Sequence, residues 1–264
     1  MIVRNVQRAI AKRLSPVAKE DAALEASFLL RANGFHSPYQ TVSETDRIAL
    51  ERQIERRLNG EPLQYILGEW EFYGLPMYVD PSVLIPRPDT ECLVEAALKR
   101  IDETHKDVLD LCCGSGCIGI ALAVFGGARV TAVDISADAL TVAERNAHRN
   151  AVSIRTIRSD FLDDVDGTYD LIVCNPPYLN AEEMASRDRS LIFEPAIALD
   201  GGQDGLSFYR RLAKDYRRYL RPCGTLFAEI GTTQRAAVSA LFDGAECIED
   251  YGGRPRVIVI RNDD

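Results

Sequence analysis

The sequence predicts an α/β fold: a mostly parallel, doubly wound sheet, with a small helical region ahead of it and a β-hairpin linking the two. Three observations carry this expectation. From residue 107 onward, short apolar strand-like runs alternate with helical patterns, as a parallel sheet with crossover helices requires. The glycine-rich stretch Cys112-Cys113-Gly114-Ser115-Gly116 joins the first of those strands to an apolar helix. The run Tyr169-Asp170-Leu171-Ile172-Val173 reads as a buried strand and ends in Cys174-Asn175-Pro176-Pro177-Tyr178, where two residues without a backbone N–H stop the ladder.

In chain order, residues 1–62 read as a helical domain. Residues 21–30 are apolar-rich and stop near Gly34, and Ser43 with Asp46 has the spacing of a capping box. The helix after it carries Ile48, Leu50, Ile54 and Leu58 as far as Gly60. Residues 63–82 read as the hairpin linker, with Gly68 and Gly74-Leu75-Pro76 as turn signals between aromatic runs. Residues 83–264 form the third region. Pro86-Arg87-Pro88 leads into a helix over 89–101, and strands follow at 108–111, 128–133, 153–158 and 169–173. After a polar segment to Asp204 come a helix over 206–220, a strand over 224–231, a helix over 234–242 and a last strand over 256–261.

Composition narrows the function. A chain of 264 residues with 46% apolar and 27% charged side chains is an ordinary soluble protein of one large and one small domain. It shows no run of membrane-spanning length and no apolar signal-peptide core, so neither a membrane partner nor export is expected. Seven cysteines, several in apolar strands or in the glycine turn, read as reduced thiols of a cytoplasmic protein. Cys112, Cys113 and Cys117 lack paired C-x-x-C knuckles and only three histidines are present, so no metal is expected. The net charge of −9 is opposite to the basic surface that binds phosphate backbones, so no direct nucleic-acid partner is expected. Arg210, Arg211, Arg217, Arg218 and Arg221 read as a solvated helix face.

The chemistry sits at strand ends. Asn175-Pro176-Pro177-Tyr178 is a rigid shelf of one amide, fixed carbonyls and an aromatic ring, suited to a planar NH2 group with two hydrogens to donate. The glycines at 114, 116 and 119 fit G-x-G-x-x-G, a spacing compatible with a dinucleotide. Asp110, on the strand just before the loop, could hold an ammonium group, which suits an amino-acid-bearing cofactor better than a pyrophosphate. Asp134 ends the next strand about 20 residues after the loop, where a carboxylate accepts from ribose hydroxyls; its plain structural alternative is a helix-capping role shared with Ser136. Asp160 could accept from an adenine amino group and Phe161 could stack on the adenine ring, against the alternatives of a solvated carboxylate and a core aromatic.

Together these residues resemble the class I S-adenosylmethionine-dependent methyltransferases, a Rossmann-like fold, and more closely the HemK-type N5-glutamine methyltransferases. The resemblance covers most of the chain. It rests on residues 60–68, on Leu84-Ile85-Pro86-Arg87-Pro88-Asp89-Thr90-Glu91, on the Asp110 to Gly116 loop, on Asn175-Pro176-Pro177-Tyr178, and on Glu194-Pro195 followed by Gly201-Gly202-Gln203-Asp204-Gly205. Cys112 departs from the glycine of many members. The resemblance implies S-adenosyl-L-methionine as cofactor, held by Asp110, Cys112, Cys113, Gly114, Ser115, Gly116, Asp134, Asp160, Phe161 and Asn175. It implies Asn175, Pro176, Pro177 and Tyr178 as catalytic and substrate-binding residues, with Arg87 also on the substrate side. The substrate implied is the GGQ glutamine of a peptide chain release factor, modified by a cytoplasmic monomer whose helical domain recognises the factor. A ribosomal-protein glutamine, or an adenine amine of a nucleic acid, would suit the same shelf. The Gly201-Gly202-Gln203 triplet is read as a coincidence with the methylated motif.

Overall fold

The computed structural model describes residues 1–262 and divides into two compact units. The first comprises Met1–Gly68 and Asp188–Phe193; the second comprises Glu69–Arg187 and the chain from Glu194 onward.

In the first unit α1 (Val3–Ala18), α2 (Ala22–Ala32), α3 (Glu44–Leu58) and α4 (Leu63–Leu67) enclose one small core. α1 buries Val3, Val6, Ile10, Leu14 and Ala18, the three-to-four spacing of a single helix face. α3 begins at the capping box read from sequence, with Ser43 and Asp46 each satisfying the other's backbone N–H. Arg57 spans from α3 to Glu25 of α2 through two hydrogen bonds of 2.8 and 3.0 Å. Residues 63–67, expected to open the hairpin, are a single helical turn instead. Pro62 precedes it, where a missing N–H costs nothing, and Gly68 closes it in the left-handed conformation.

The second unit starts with the antiparallel hairpin β1 (Glu69–Phe72) and β2 (Leu75–Tyr78). Its turn is Tyr73-Gly74, both with positive φ, which matches the twist of a tight hairpin. A 3-10 turn over Pro88–Thr90 then leads into α5 (Glu91–Leu98). The order continues β3 (Asp107–Leu111), α6 (Cys117–Gly126), β4 (Arg129–Asp134), α7 (Ala137–Arg149), β5 (Ile154–Arg158) and β6 (Tyr169–Cys174). It closes with α8 (Ala181–Ala185), α9 (Ser207–Asp215), β7 (Leu220–Glu229), α10 (Arg235–Ser239), β8 (Glu246–Glu249) and β9 (Pro255–Arg261).

These strands form a seven-stranded sheet in the order β5-β4-β3-β6-β7-β9-β8, parallel except for β9, which runs antiparallel to both neighbours. Side chains alternate across it. Val108, Leu171 and Val173 enter one core, while Leu109, Leu111, Ile172 and Cys174 enter the other. Because β3 is flanked by β4 on one side and β6 on the other, the winding reverses there, and the carboxyl ends of β3, β4 and β6 open onto one crevice. β7 is longer than expected: residues 220–223 continue the strand, and α9 stops at Asp215 before a 3-10 turn over Tyr216–Arg218. β8, a half-exposed edge strand, had no strong periodic signal.

Candidate functional site

The crevice holds a cavity of about 260 Å³. Its wall includes Cys112, Cys113, Gly114 and Ser115 of the glycine turn, Asp134, Asp160 and Phe161 from the ends of β4 and β5, and Asn175 and Pro177 after β6. Thr90 and Arg87 line it from the segment ahead of α5.

The turn after β3 is held open by its own geometry. Gly114 has φ +51, and no atom lies within 4 Å of where its Cβ would stand, so a ligand can approach the backbone there. Gly116 caps α6 with φ +76, packed on Ala143, and Gly119 lets α6 sit against β3 and β4, since a Cβ would come within 2.8 Å of Asp110 Oδ2 and 2.7 Å of Val130. Cys112 occupies the left-handed region at φ +59 without being glycine, and so does Phe161 at φ +63; both line the cavity.

Asp134 is tied to two backbone amides, Gly114 N–H to Oδ2 and Ser136 N–H to Oδ1, each at 2.9 Å. Ser136 itself caps α7 by accepting from Ala139. The structural and ligand-binding readings of Asp134 are therefore compatible, because each carboxylate oxygen keeps a further lone pair. Burial raises its pKa above the usual carboxylate value.

Asp160 and Phe161 share their surroundings with an arginine. Arg211 donates to Asp160 at 2.8 Å and lies 4.8 Å over the Phe161 ring. Phe161 is mostly buried, edge-on to Phe208 at 5.0 Å. Arg210 pairs with Asp204, and Arg221 with Asp107 and Asp170, so these cations stand in local ion pairs.

Four expected residues stand outside the cavity lining. Asp110 lies beneath the turn, fully buried, its Oδ2 accepting Gly119 N–H at 2.9 Å. Its Oδ1 has no partner, and desolvation pushes its pKa up to about 7. Gly116 is turned toward α7. Pro176 is buried, and Tyr178 packs against the core on the β6–β7 side, where burial raises its hydroxyl to about 12.

The shelf is braced by residues that sequence reasoning passed over. Asn175 Nδ2 donates to Thr90 Oγ1 at 3.2 Å. Glu194, nearly fully buried, accepts the Ile85 N–H at 3.0 Å and pairs with Arg87. The Gly201–Gly205 stretch packs directly on the shelf: a Cβ on Gly201 would stand 2.8 Å from Tyr178 Cα, and one on Gly205 would stand 2.4 Å from the Tyr178 carbonyl oxygen. Gly201 and Gly205 are thus scaffold, needed for close backbone approach. Thr90 was within a quoted motif; its role had no signal in the sequence because its side-chain partner, Asn175, is 85 residues away. Among the described residues no group of three or more His, Cys, Asp or Glu could hold a metal ion, and no helix is long and apolar enough to cross a membrane.

Two family matches span these features: the PrmC N-terminal domain over residues 5–68 and the Methyltransferase small domain over residues 88–202. A release factor glutamine methyltransferase of Agrobacterium fabrum is 39% identical over 96% of this chain and 95% of its own length. A namesake from Haemophilus influenzae is 33% identical over 96% of this chain and 97% of its own. Among solved structures, a methyltransferase from Pyrococcus furiosus superposes with a TM-score of 0.56 at 15% identity, over 83% of this chain and 99% of that one. The Thermus thermophilus 16S rRNA N2 G1207 methyltransferase, solved with AdoMet and guanosine, gives a TM-score of 0.54 at 20% identity over 74% of this chain and 49% of its own. These structural likenesses establish a shared fold.

Proposed function

Since the chain belongs to the release factor glutamine methyltransferase family, its activity is methyl transfer to a release-factor glutamine, and we propose that the β3–β6 crevice is where it occurs. The observation that carries this is the placement of Asn175 in one cavity wall together with the glycine turn and Asp134.

The donor set fits S-adenosyl-L-methionine. Asp134 would accept from the ribose hydroxyls, the open face of Gly114 would admit the amino-acid end, and Asp160 with Phe161 and Arg211 would border the adenine. Asp110, one layer below, would supply negative charge toward the ammonium; its unpartnered Oδ1 is consistent with a donor arriving from the loop side. When bound, this cofactor supplies an electrophilic methyl on a cationic sulfur.

The chain's own task is to aim the nucleophile. A glutamine amide nitrogen is weakly nucleophilic because its lone pair is delocalised into the carbonyl. The Asn175 side-chain oxygen would accept one of its N–H bonds and the Pro176 carbonyl the other. The nitrogen is then directed to the methyl, and the positive charge that grows on it is stabilised. Such orientation is worth up to ~7–11 kcal/mol in ideal cases. No base is required before transfer, since the methylated nitrogen sheds its proton readily. Pro177 keeps the shelf rigid, and Tyr178 holds its far side.

The helical unit, residues 1–68 with 188–193, would grip the folded release factor around a glutamine of its GGQ motif. We read the partner as the protein factor alone, engaged by a monomer in the cytoplasm. The test is incubation of labelled S-adenosylmethionine with intact release factor, followed by mapping of the label. Label on the motif glutamine is expected, and Asn175→Ala should cut single-turnover transfer about 100-fold or more while cofactor binding persists. Label on another residue, or near-normal transfer by the variant, would remove this reading.

A further inference from the structure

Residues 87–91 form a brace whose four polar side chains each tie to a different part of the second unit. Arg87 pairs with Glu194, Asp89 with Arg256 of β9, and Thr90 with Asn175 of the shelf. Glu91 accepts the Tyr73 N–H of the hairpin turn at 2.9 Å. The backbone between them has little freedom. Pro86 and Pro88 fix φ on either side of Arg87, and a bond of 3.1 Å from the Thr90 N–H to the Arg87 carbonyl closes the 3-10 turn. The Cys92 thiol also donates to the Asp89 carbonyl at 2.9 Å. Asp89 and Thr90 thus move as one body.

Arg256 anchors that body to the sheet. Its Nη2 reaches Asp89 Oδ2 at 2.8 Å and Asp250 Oδ2 at 3.3 Å. Asp250 is itself held in the β8–β9 turn, where its Oδ1 accepts the Gly252 N–H at 2.8 Å and the Arg254 N–H at 3.1 Å. The side chains of Arg256 and Asp250 are 7% and 6% exposed, so the guanidinium stays fixed on the sheet with or without Asp89. The Asp89 side chain is 53% exposed, and a pair with one partner so open to water adds little to stability. Its effect is on placement: it fixes the turn that carries Thr90. Thr90 is 2% exposed and accepts from Asn175 Nδ2 at 3.2 Å.

We propose that Asp89 and Arg256 are positioning residues for methyl transfer: they hold Thr90 against Asn175, and so hold the amide that receives the substrate glutamine. This deepens the reading above and rests on it for the identity of the substrate. A shift of the turn reaches the reacting nitrogen through Thr90 and Asn175. A misplacement of about 1 Å there can slow transfer on the order of 100-fold. The cofactor contacts expected at Gly114 and Asp134 stand on other elements and are left in place.

The experiment compares kinetics, stability and side-chain amide NMR in the full chain. Asp89→Ala removes the half-exposed end of the pair and leaves Arg256 on Asp250. It should lower kcat on intact release factor about 10-fold or more, with KM, cofactor affinity and the unfolding midpoint little changed. Asp89→Asn keeps an oxygen for Arg256 and should recover most of kcat. Thr90→Val removes the hydroxyl through which Asp89 acts, so the double variant should be no slower than Thr90→Val alone. The Asn175 NH2 resonances should move in Asp89→Ala. Four results overturn the proposal: wild-type kcat in Asp89→Ala, losses that multiply in the double variant, a kcat loss matched by a fall in the unfolding midpoint, or unmoved resonances. The resonances need no turnover. If they move as expected but the wild type does not methylate the factor, the functional reading falls while the brace stands. If the factor is methylated and Asp89→Ala turns over like the wild type, the brace falls alone.

Discussion

The Gln234 side chain donates to the backbone carbonyl of Tyr178 at 2.9 Å and to that of Gly205 at 3.2 Å, while its own oxygen accepts the Gly231 N–H at 2.9 Å. One amide thereby joins the shelf after β6, the glycine-rich loop beside it and the end of β7. Gln234→Leu would preserve bulk and leave the Tyr178 carbonyl unpaired in a partly buried place. The expected cost is about 1–3 kcal/mol of stability. Methyl transfer should decline further than that loss alone implies, because the shelf no longer has a fixed height. Urea unfolding and single-turnover rates on the same preparation check both halves; unchanged transfer in a destabilised variant would separate Gln234 from the site.

Asp134 combines support of the loop with the expected ribose contacts. Asp134→Ala removes the acceptor for Gly114 and Ser136 as well as the ligand contacts. Cofactor affinity should fall about 10- to 100-fold, the range for losing charge-assisted hydrogen bonds. Calorimetric titration with S-adenosylhomocysteine gives the number, and an unchanged Kd would take Asp134 out of the binding site.

Asp110 makes the protein less stable at higher pH. Its carboxyl rises from 3.8 in the unfolded reference to about 7 when buried, so between those values the folded state holds a proton that the unfolded chain has released. Stability from this group is therefore intact at low pH and declines as pH rises across that window. Asp110→Asn keeps an oxygen for the Gly119 N–H and cannot ionise. Relative to wild type, the variant should gain stability between pH 5 and pH 8 by an amount on the order of a few kcal/mol. Cofactor affinity should fall at the same time, as the charge facing the ammonium is gone. Equal pH dependence in the two proteins would show that Asp110 is ionised throughout.

Cys112 stands in left-handed backbone at φ +59, a place where a side chain is strained. Its sulfur packs against the second core without being fully buried. Cys112→Gly should stabilise the protein by up to about 1 kcal/mol, because relief of backbone strain exceeds the lost contact. A rise of a few degrees in Tm would agree; a fall would show that the sulfur's packing outweighs the strain.

Much of the second unit is written in local pattern. The alternation from β3 onward, the capping box at Ser43, the glycines at 114, 116 and 119 and the proline stop after Cys174 each act within a few residues, and physics of that range is legible in a chain read alone. The same locality explains the errors. Residues 63–67 are too short for helical periodicity to show, residues 220–223 were claimed by the helix next to them, and β8 is an edge strand whose pairing with β9 alone defines it. It also explains why Tyr178 and Asp110 were expected at the cavity wall. Their neighbours in sequence line it, but side-chain direction is decided by which face of the sheet each position occupies.

What the sequence by itself determined is the set of chemical groups at the strand ends and the order of strands and helices that carries them. Only the tertiary structure decided which of those groups meet. Thr90 reaches Asn175 across 85 residues of chain, Glu194 reaches Ile85 across 109, and Gln234 reaches Tyr178 across 56. Such contacts depend on how β3, β6 and β7 line up side by side. That alignment is set by burial of two cores on opposite faces of one sheet, a property of the whole packed chain and of no single segment.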